Sequence, residues 1–295
     1  MIESSAHPLD HLVLPTPSLD AVRSRLTSLG FVVAPTGIHP FGTENACVFF
    51  ADGTYLEPLA VGDAQSTEQA IAAGNVFVAR DRLYRQWLGE EGFSAVVLGT
   101  GNADADHRRF VEAGLSAGDM LGFSRAFTDT NGKSDTASFK LAFAADKEAR
   151  DALLFACERV NPPKIDRTAL QAHANGVTGI VEVIAVSDAP PAQIGLIAIA
   201  AGAQADGLEA EGDAVRLPNA ILRVLTHESY ERHFGLAAKP SPHLRFQAVV
   251  FSIRDKASVA HALAAGATDH NMSGGDIVVP PALGQGAAFI FREIP

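Results

Sequence analysis

The sequence predicts an α+β fold built from four βαβββ modules, each consisting of a strand, a helix and three further strands. The prediction rests on hydrophobic periodicity, which alternates between strand and helix spacing, and on the repetition of that alternation along the chain. The first module occupies residues 9–61, and similar patterns begin again at Phe93, Thr178 and Leu244. Four modules in one chain favour two domains, each made of a pair of modules.

A proline-containing segment marks the predicted boundary between these two domains. Residues 161–174 include the pair Pro162-Pro163 and show no helix or strand periodicity, which is typical of a connection between folded units. We therefore predict an N-terminal domain over residues 1–162 and a C-terminal domain over residues 163–295.

The first module shows the strand and helix patterns most clearly. Its helix is predicted over residues 18–29, where apolar residues recur at helical spacing. Ser18 is suited to cap the helix N-terminus, and Gly30 is suited to end the helix. The turn pair Asp52-Gly53 separates the last two strands. The strands of this module are predicted over residues 10–15, 31–34, 45–51 and 54–61.

The remaining modules contain comparable predicted elements. The second has strands over residues 93–100, 120–129, 138–144 and 152–157, a helix over 104–115 and a hairpin turn at Asn131-Gly132. The third has a first strand beginning at residue 178, a helix over 190–203 and strands over 207–211, 213–217 and 220–226. The fourth has a first strand beginning at residue 244, a helix over 257–265 and strands over 276–279 and 287–293. Residues 65–87 form an additional helical stretch, whose aromatic residues Phe77, Tyr84 and Trp87 are expected to pack onto the strands.

Composition indicates a soluble, globular protein, expected in the cytoplasm, and is compatible with a site for a small molecule. The chain has 295 residues, 47% hydrophobic content and a net charge of −11, which disfavours nucleic acid and anionic membranes as partners. No secretory signal pattern opens the chain, and the apolar run 194–203 is too short for a membrane helix. The two cysteines, Cys47 and Cys157, are too few for a disulfide framework and are expected to be buried thiols.

Two residues of the first module have the chemistry of metal ligands. His11 lies on the first predicted strand and Glu57 on the last. A histidine and a carboxylate that point to the same face of one sheet could together bind a divalent metal ion. An ionisable pair on a concave face is costly to bury without a use, which favours a functional site.

The motifs of this module resemble those of a known superfamily. The pair Asp10-His11, the helix end Leu-Gly-Phe at residues 29–31 and the closing Gly-x-Tyr-Leu-Glu at residues 53–57 resemble the vicinal oxygen chelate superfamily. Glyoxalase I, extradiol dioxygenases and bleomycin-resistance proteins belong to that superfamily. The segments GIHPFGTEN and ADGTYLE are most similar to its glyoxalase-like domain branch. The resemblance implies two paired half-open barrels, with metal ligands on first and fourth strands, where His11 and Glu57 stand.

The other modules can be laid on the first to find the residues at these two positions. The position of His11 is then taken by Val96, Glu182 and Val249 in modules two, three and four. The position of Glu57 is taken by Leu154 or Phe155, by Arg223, and by Ile290 or Phe291. Modules two and four thus have apolar residues at both positions and are expected to be scaffold. Glu182 and Arg223 could form a structural ion pair or bind the substrate.

A catalytic metal ion usually has three protein ligands, so a third is needed besides His11 and Glu57. His39, His173 and Glu182 are the candidates. Without a third ligand the site would be metal-free, with His11 as a base that Glu57 orients. The loop that contains His39 also supplies Thr43 and Asn45, polar residues expected to bind substrate while Phe41 covers it. The substrate-binding set is therefore predicted as His39, Thr43, Asn45, Glu182 and Arg223.

The resemblance implies a metal-dependent enzyme that acts on a small, oxygen-rich organic substrate. The metal could be Zn, Fe, Mn or Ni, and a metal-free site stays open. Lyase or isomerase chemistry is favoured over extradiol dioxygenase chemistry, because the C-terminal modules carry Glu182 and Val249 without the two histidines and glutamate that such an enzyme places there. The alternative is a protein that binds or sequesters a small molecule, as the bleomycin-resistance branch does. A homodimer is compatible with open half-barrels, but four modules could also complete each other within one chain.

Overall fold

The computed structural model describes residues 6–128, 134–149, 151–162, 166–209, 212–238 and 240–294. Two mixed β-sheets dominate the molecule, and each contains two βαβββ modules joined side by side. The predicted α+β fold of paired modules is confirmed.

The N-terminal sheet has the strand order β2-β3-β5-β1-β6-β9-β8-β7, and β4 also pairs with β5. Its strands are β1 Leu9–Pro15, β2 Gly37–Ile38, β3 Thr43–Asn45, β4 Val48–Phe49, β5 Tyr55–Val61, β6 Ala95–Thr100, β7 Leu121–Thr128, β8 Ser134–Ala144 and β9 Leu153–Asn161. Its helices are α1 Leu19–Ser28, α2 Ala64–Ala72, α3 Val76–Leu88 and α4 Ala103–Glu112.

The C-terminal sheet repeats this arrangement in the order β11-β12-β13-β10-β14-β17-β16-β15. Its strands are β10 Val177–Val186, β11 Asp206–Glu209, β12 Gly212–Arg216, β13 Ile221–Leu225, β14 Arg245–Ile253, β15 Asn271–Ser273, β16 Asp276–Val279 and β17 Ala288–Glu293. Its helices are α5 Pro190–Ala201, α6 His227–Phe234 and α7 Lys256–Ala265, and a 3-10 turn at Thr168–Leu170 lies in the connection between the sheets.

In every module the first and last strands are parallel neighbours. These pairs are β1 with β5, β6 with β9, β10 with β13, and β14 with β17. The two first strands of each sheet, β1 with β6 and β10 with β14, join their modules in antiparallel fashion. Because side chains alternate between the faces of a strand, one face packs into the core and the other lines the hollow of the sheet.

The two sheets share one hydrophobic core. The ring of Phe31 lies 6.1 Å from that of Phe50 in the N-terminal half and 5.6 Å from that of Phe251 in the C-terminal half. The Asn175 side chain donates a hydrogen bond to the Leu29 carbonyl and thereby connects the start of β10 to the end of α1. The two halves are therefore packed together through apolar contacts and not merely linked by the chain.

The structure corrects several predicted elements of the N-terminal half. Residues 31–34 do not form a strand. The ring of Phe31 packs into the shared core, and the segment makes a single hydrogen bond of the kind found between strands, from the Ala34 amide to the Cys47 carbonyl. The predicted strand 45–51 is broken into β3 and β4. The stretch 65–87 forms two helices, α2 and α3, since the positive φ angle of Gly74 ends the first.

The aromatic residues of that stretch behave differently from one another. Phe77 and Tyr84 are buried as expected, but Trp87 is 60% exposed and does not pack onto the strands. In the C-terminal half, the charged composition of α6 is typical of a solvated turn, yet this helix buries Tyr230 and Phe234. The predicted hairpin at Asn131-Gly132 lies outside the described residues.

No helix in the described part of the chain is both long enough and apolar enough to cross a lipid bilayer.

The loop that precedes β3 is held by a crowded glycine. Gly42 has a φ of +89°, and a Cβ atom there would lie 2.5 Å from the Asp63 carbonyl oxygen and 2.7 Å from the Thr67 amide nitrogen. The carbonyl of Gly42 also accepts hydrogen bonds from the amides of Gly62 and Asp63. This loop is therefore packed against the start of α2.

We expect Gly42→Ala to lower the free energy of unfolding by about 2–5 kcal/mol, since strain at positive φ adds to overpacking. Gly53 is the matched control, because its φ is +94° but a Cβ atom added there would have no neighbouring atom within 4 Å. Gly53→Ala should cost only about 1–2 kcal/mol. Chemical denaturation of both variants measures the difference, and equal losses would show that the packing of Gly42 is unimportant.

Candidate functional site

His11 and Glu57 lie side by side on the concave face of the N-terminal sheet. Strands β1 and β5 pair in parallel, with His11 opposite Tyr55 and Val13 opposite Glu57. The His11 Nε2 atom is 3.2 Å from Glu57 Oε2, and both side chains are buried. The ring of Tyr55 stacks on that of His11 at 4.3 Å. The strand register therefore brings together the two residues on which the sequence hypothesis rests.

The other ring nitrogen of His11 contacts an adjacent carboxylate. Asp10 Oδ1 lies 2.6 Å from His11 Nδ1, and Arg159 Nη1 on β9 lies 2.6 Å from Asp10 Oδ2. Burial disfavours the charged imidazole, but hydrogen bonds to Asp10 and Glu57 outweigh burial and raise the pKa of His11. Burial likewise disfavours ionised Asp10, but His11 and Arg159 lower its pKa. The result is a row of alternating charges.

Glu57 is surrounded by nitrogen atoms. Besides His11, Asn45 Nδ2 donates a hydrogen bond to Glu57 Oε1 at 2.5 Å, and His39 Nε2 lies 3.5 Å from the same oxygen. Burial would raise the pKa of Glu57, but the hydrogen bond to His11 and its charge lower that pKa to about 2. Glu57 is therefore an ionised carboxylate throughout the physiological pH range.

The predicted loop around His39 does fold inward. The ring of His39 is buried, stacks on Phe41 at 5.0 Å and places Nδ1 2.9 Å from Thr43 Oγ1. Burial lowers the pKa of His39 to about 4, and the charges of Arg125 and His11 act in the same direction. At neutral pH this imidazole is uncharged, which is the form that binds metal ions.

The two histidines thus have the same relation to their surroundings. Each has its Nδ1 atom beside an oxygen atom, of Asp10 or of Thr43, and each directs Nε2 towards the Glu57 carboxylate. Metal-binding histidines usually have their second nitrogen held in this way. The structure therefore brings together three of the predicted site residues, His11, Glu57 and His39, with Thr43 and Asn45 in contact.

The spacing of these residues is not that of a metal-coordination site. Across the described ranges, no group of three or more His, Cys, Asp or Glu side chains is placed so that it could hold a metal ion. The two Glu57 oxygens instead face His11 and His39 separately. The donor types and the contacts to both Nδ1 atoms fit a divalent ion, whereas the spacing is that of a carboxylate linked to its neighbours by hydrogen bonds.

His173, one of the candidate third ligands, has a structural role. The Val32 amide donates to His173 Nδ1 at 3.0 Å, so His173 Nε2 carries the proton and donates to the Phe49 carbonyl at 2.9 Å. Both ring nitrogens are therefore occupied in tying the connection between the sheets to the first module. These contacts give no support to His173 as the third metal ligand.

Glu182 and Arg223 form the ion pair that the sequence allowed, but it belongs to the C-terminal sheet. Arg223 Nε lies 2.6 Å from Glu182 Oε1, and Arg292 Nη1 lies 2.8 Å from Glu182 Oε2. Arg292 also contacts Asp276 at 2.9 Å. None of these contacts involves His11 or Glu57, so neither Glu182 as a third ligand nor the Glu182–Arg223 pair as a substrate anchor at this site is supported.

The comparison of modules needs a shift of one residue in modules two and four. The N-caps Ser18, Asn102 and Asp255 are equivalent, which places Ala95 and Ala248 at the His11 position instead of Val96 and Val249. Val96 and Val249 belong to the shared core on the other face.

The strand register also shows which residues of β9 and β17 occupy the position of Glu57. Phe155 and Ile290 belong to the clusters of buried residues on the concave faces of the two sheets. Leu154 and Phe291 belong to the core that the two sheets share. Modules two and four therefore have apolar residues at both positions, and the edge of the Phe155 ring faces His11 at 6.0 Å.

The sequence hypothesis did not include Arg125, Arg159, Asp10 and Tyr55 as parts of the site. Arg125 on β7 and Arg159 on β9 belong to the second module, so only the fold brings them to the first. A cavity of about 30 Å³ lies at the site. His11, His39, Glu57, Arg125 and a group of aromatic rings, those of Phe41, Tyr55, Phe77, Phe123, Phe139 and Phe155, line it. Asp10 was visible as the neighbour of His11 in sequence.

The comparisons with known proteins identify the family and the fold of this chain. A family model described as a glyoxalase-like domain matches residues 9–198, which is more than half of the chain. The chain belongs to the glyoxalase-like domain family. This confirms the relation to the vicinal oxygen chelate superfamily that the motifs of the first module indicated. Curated protein sequences give no match.

Three solved structures show that the whole glyoxalase-like chain has a known architecture. A hypothetical protein from Staphylococcus aureus has a TM-score of 0.66 at 13% identity, covering 97% of this chain and 99% of the other. A mutant 4-hydroxymandelate synthase from Streptomyces coelicolor has a TM-score of 0.59 at 12% identity, with coverage of 98% and 93%. The Mn(II)-bound glyoxalase from Novosphingobium aromaticivorans has a TM-score of 0.54 at 10% identity, with coverage of 98% and 82%. At these identities the likeness shows the fold alone.

The alternating charges of Glu57, His11, Asp10 and Arg159 predict that the effect of replacing His11 on the free energy of unfolding depends on pH. Since folding raises the pKa of His11, the contribution of its charge is complete below the unfolded value of about 6.5 and is lost as the pH rises through the raised pKa. In metal-free protein, the loss of unfolding free energy caused by His11→Gln should therefore shrink with rising pH. One unit of raised pKa corresponds to about 1.4 kcal/mol.

His173→Gln is the matched control with the opposite sign. Burial lowers the pKa of His173, so its contribution is complete above about pH 6.5 and is lost as the pH falls through the lowered pKa. Urea unfolding between pH 5 and pH 9 on both variants measures the two trends. Parallel trends in the two variants would contradict the charge assignment of His11.

Proposed function

We propose that this glyoxalase-like protein is a metal-dependent enzyme, in which His11, Glu57 and His39 hold a divalent ion beside a small organic substrate. The observation that carries the proposal is the convergence of two imidazole Nε2 atoms on one buried carboxylate, with both Nδ1 atoms beside oxygen. A buried, ionised glutamate with two histidines is costly to desolvate, and a bound cation would offset that cost. The metal-bound neighbour carries its ion on the same fold.

The protons of the site would move when the ion binds. His11 would release the proton at Nε2 to solvent and keep the one at Nδ1, from which it donates a hydrogen bond to Asp10. His39 would carry its proton at Nδ1 and donate a hydrogen bond from there to Thr43 Oγ1. Asn45 would keep its hydrogen bond to Glu57 and hold the carboxylate in place. Asp10 and Thr43 are therefore positioning residues, which set the tautomers of the two histidines.

The surroundings of the site favour electrostatic catalysis. The aromatic rings around the small cavity exclude water, so each charge acts in a low-dielectric environment. When bound, the divalent ion supplies Lewis-acid polarisation of a substrate oxygen. Arg159 neutralises Asp10 and keeps that carboxylate ionised beside His11.

Within metal-dependent chemistry, we propose a lyase or isomerase reaction in preference to ring-cleaving oxygenation. The first strands of the C-terminal modules, where an extradiol enzyme of this layout would carry ligands, hold Glu182 in an ion pair with Arg223 and the apolar Ala248. The candidate ligands all come from the first module.

Metal analysis of the purified full-length protein tests the proposal. We expect about one divalent ion per chain, and a drop in metal affinity of at least about 100-fold in His11→Ala and Glu57→Ala, because each removes a direct ligand. His39→Ala should also lose affinity, which distinguishes three ligands from two. His173→Gln is the control and should keep its metal, since that ring only joins segments of the backbone.

Titration calorimetry distinguishes the proposed enzyme from the alternative, a protein that sequesters a small molecule. Titration calorimetry in two buffers of different ionisation enthalpy should report proton release on metal binding, because His11 must give up a proton. Protein without metal affinity, from which an organic molecule is recovered, would overturn the enzyme proposal and favour a binding protein.

A further inference from the structure

A larger cavity lies directly beside the metal-candidate site. Its volume is about 400 Å³, within the range of pockets that hold small ligands. The walls come from the segment before β3, from β3 and β4, from β7, and from the connection between the sheets. The side chain of Ile38 at its rim is 71% exposed, so the cavity opens to solvent.

The charged residues in the described wall of this cavity are arginines. Arg125 lies on β7 and Arg167 in the connection between the sheets, and none of the described lining residues is Asp or Glu. Burial lowers the pKa of Arg167 and the positive charges of Arg159 and Arg125 act in the same direction, while Tyr55 and Cys47 act against it. The cavity wall thus brings two guanidinium groups, those of Arg125 and Arg167, to one small space in a protein of net charge −11, and guanidinium groups favour anionic ligands.

The rest of the cavity wall is largely apolar. Phe49, Cys47, Leu170 and Ala34 contribute to it. The guanidinium carbon of Arg167 lies 4.4 Å from the centre of the Phe49 ring, which positions the charge over an apolar surface. A ligand that matches this wall has an anionic group and an uncharged hydrocarbon or ring body.

Two residues connect the cavity to the site of His11 and Glu57. Asn45 lines the larger cavity and donates a hydrogen bond to Glu57, while Arg125 lines both cavities. Gly37 allows this close packing, because a Cβ atom there would lie 2.5 Å from Asn45 Oδ1 and 2.7 Å from Arg125 Nη1. A molecule in the larger cavity would therefore contact Asn45 and Arg125, the two residues that also border the candidate metal ligands.

We propose that this cavity binds the substrate as a small organic carboxylate, with Arg125 and Arg167 receiving the carboxylate group and Phe49 and Leu170 contacting its apolar body. The proposal rests on the proposed function, because it takes His11 and Glu57 as the place where the bound molecule reacts. Guanidinium groups form charge-assisted, bidentate hydrogen bonds with carboxylates, and a partly buried site strengthens such bonds. The largely apolar wall and the limited volume favour a compact acid over a nucleotide.

Matched pairs of acids and amides test the charge requirement in the full-length protein. Benzoate, phenylacetate and hexanoate are compared with benzamide, phenylacetamide and hexanamide by ligand-observed NMR titration. Each amide preserves the shape of its acid and removes the charge. We expect the preferred acid to bind at least about ten-fold more tightly than its amide. Equal binding within every pair, or no binding of any acid, would overturn the proposal.

The Arg167→Met variant tests whether the charge of Arg167 causes the preference for acids over amides. It should reduce the affinity for the preferred acid by about ten-fold or more and leave amide binding unchanged. Arg232→Met is the control, because it removes the same charge from an exposed position on α6. Thermal melting confirms that both variants are folded. An equal effect of the two substitutions, or no effect of either, would contradict the assignment of Arg167.

The two proposals fail in distinguishable ways. His11→Ala should lose metal and keep the preference for acids over amides, whereas Arg167→Met should keep metal and lose that preference. Wild-type protein that binds metal but shows no preference for acids would overturn only the carboxylate site. A preference for acids in protein that has no metal affinity would overturn only the metal-dependent reaction.

Discussion

The site depends on the parallel pairing of β1 with β5, which buries a histidine and a glutamate in contact on one face of a sheet. The register sets Val13 opposite Glu57 and Tyr55 opposite His11, so the two ionisable side chains are diagonal neighbours. Buried charges are stable only when other charges or hydrogen bonds compensate them. Much of the surrounding structure supplies that compensation: Asp10 contacts one nitrogen of His11, and other polar groups converge on the carboxylate.

The four modules show how one backbone position can have different chemistry. In the third module the equivalent positions hold Glu182 and Arg223, which neutralise each other, and Arg292 completes the contact with the second carboxylate oxygen. In the second and fourth modules the position of His11 is taken by alanine, Ala95 and Ala248, so no charge needs compensation. An ion pair within one sheet leaves no unsatisfied ligand for a cation, whereas a histidine facing a glutamate can exchange a proton for a metal ion.

The sequence predicted the elements with strong periodicity and failed where the shared core decided the conformation. Helix α1 begins after the cap Ser18 and ends before Gly30, as local signals indicated. Residues 31–34 have strand-like composition, but Phe31 enters a core that contains both halves of the chain, and no local pattern reports such a contact. Comparison of the modules by their turn residues was off by one in two modules. The sequence of a strand has no local signal that fixes its register, and a shift of one residue moves each side chain to the opposite face of the sheet. The inward fold of the loop around His39 was only one of several alternatives, since loop direction depends on the distant residues that pack around it.

The second module explains why a pair of modules is needed although only one carries the candidate ligands. Arg125 and Arg159 reach the site from β7 and β9, separated from His11 by more than a hundred residues in sequence. Arg159 compensates Asp10, and Arg125 lies between the small cavity and the larger one. An isolated first module would expose its concave face to water and would leave two carboxylates without their guanidinium neighbours. The second module therefore contributes positive charge and apolar cover to the candidate site of the first, although its own equivalent position holds the apolar Phe155.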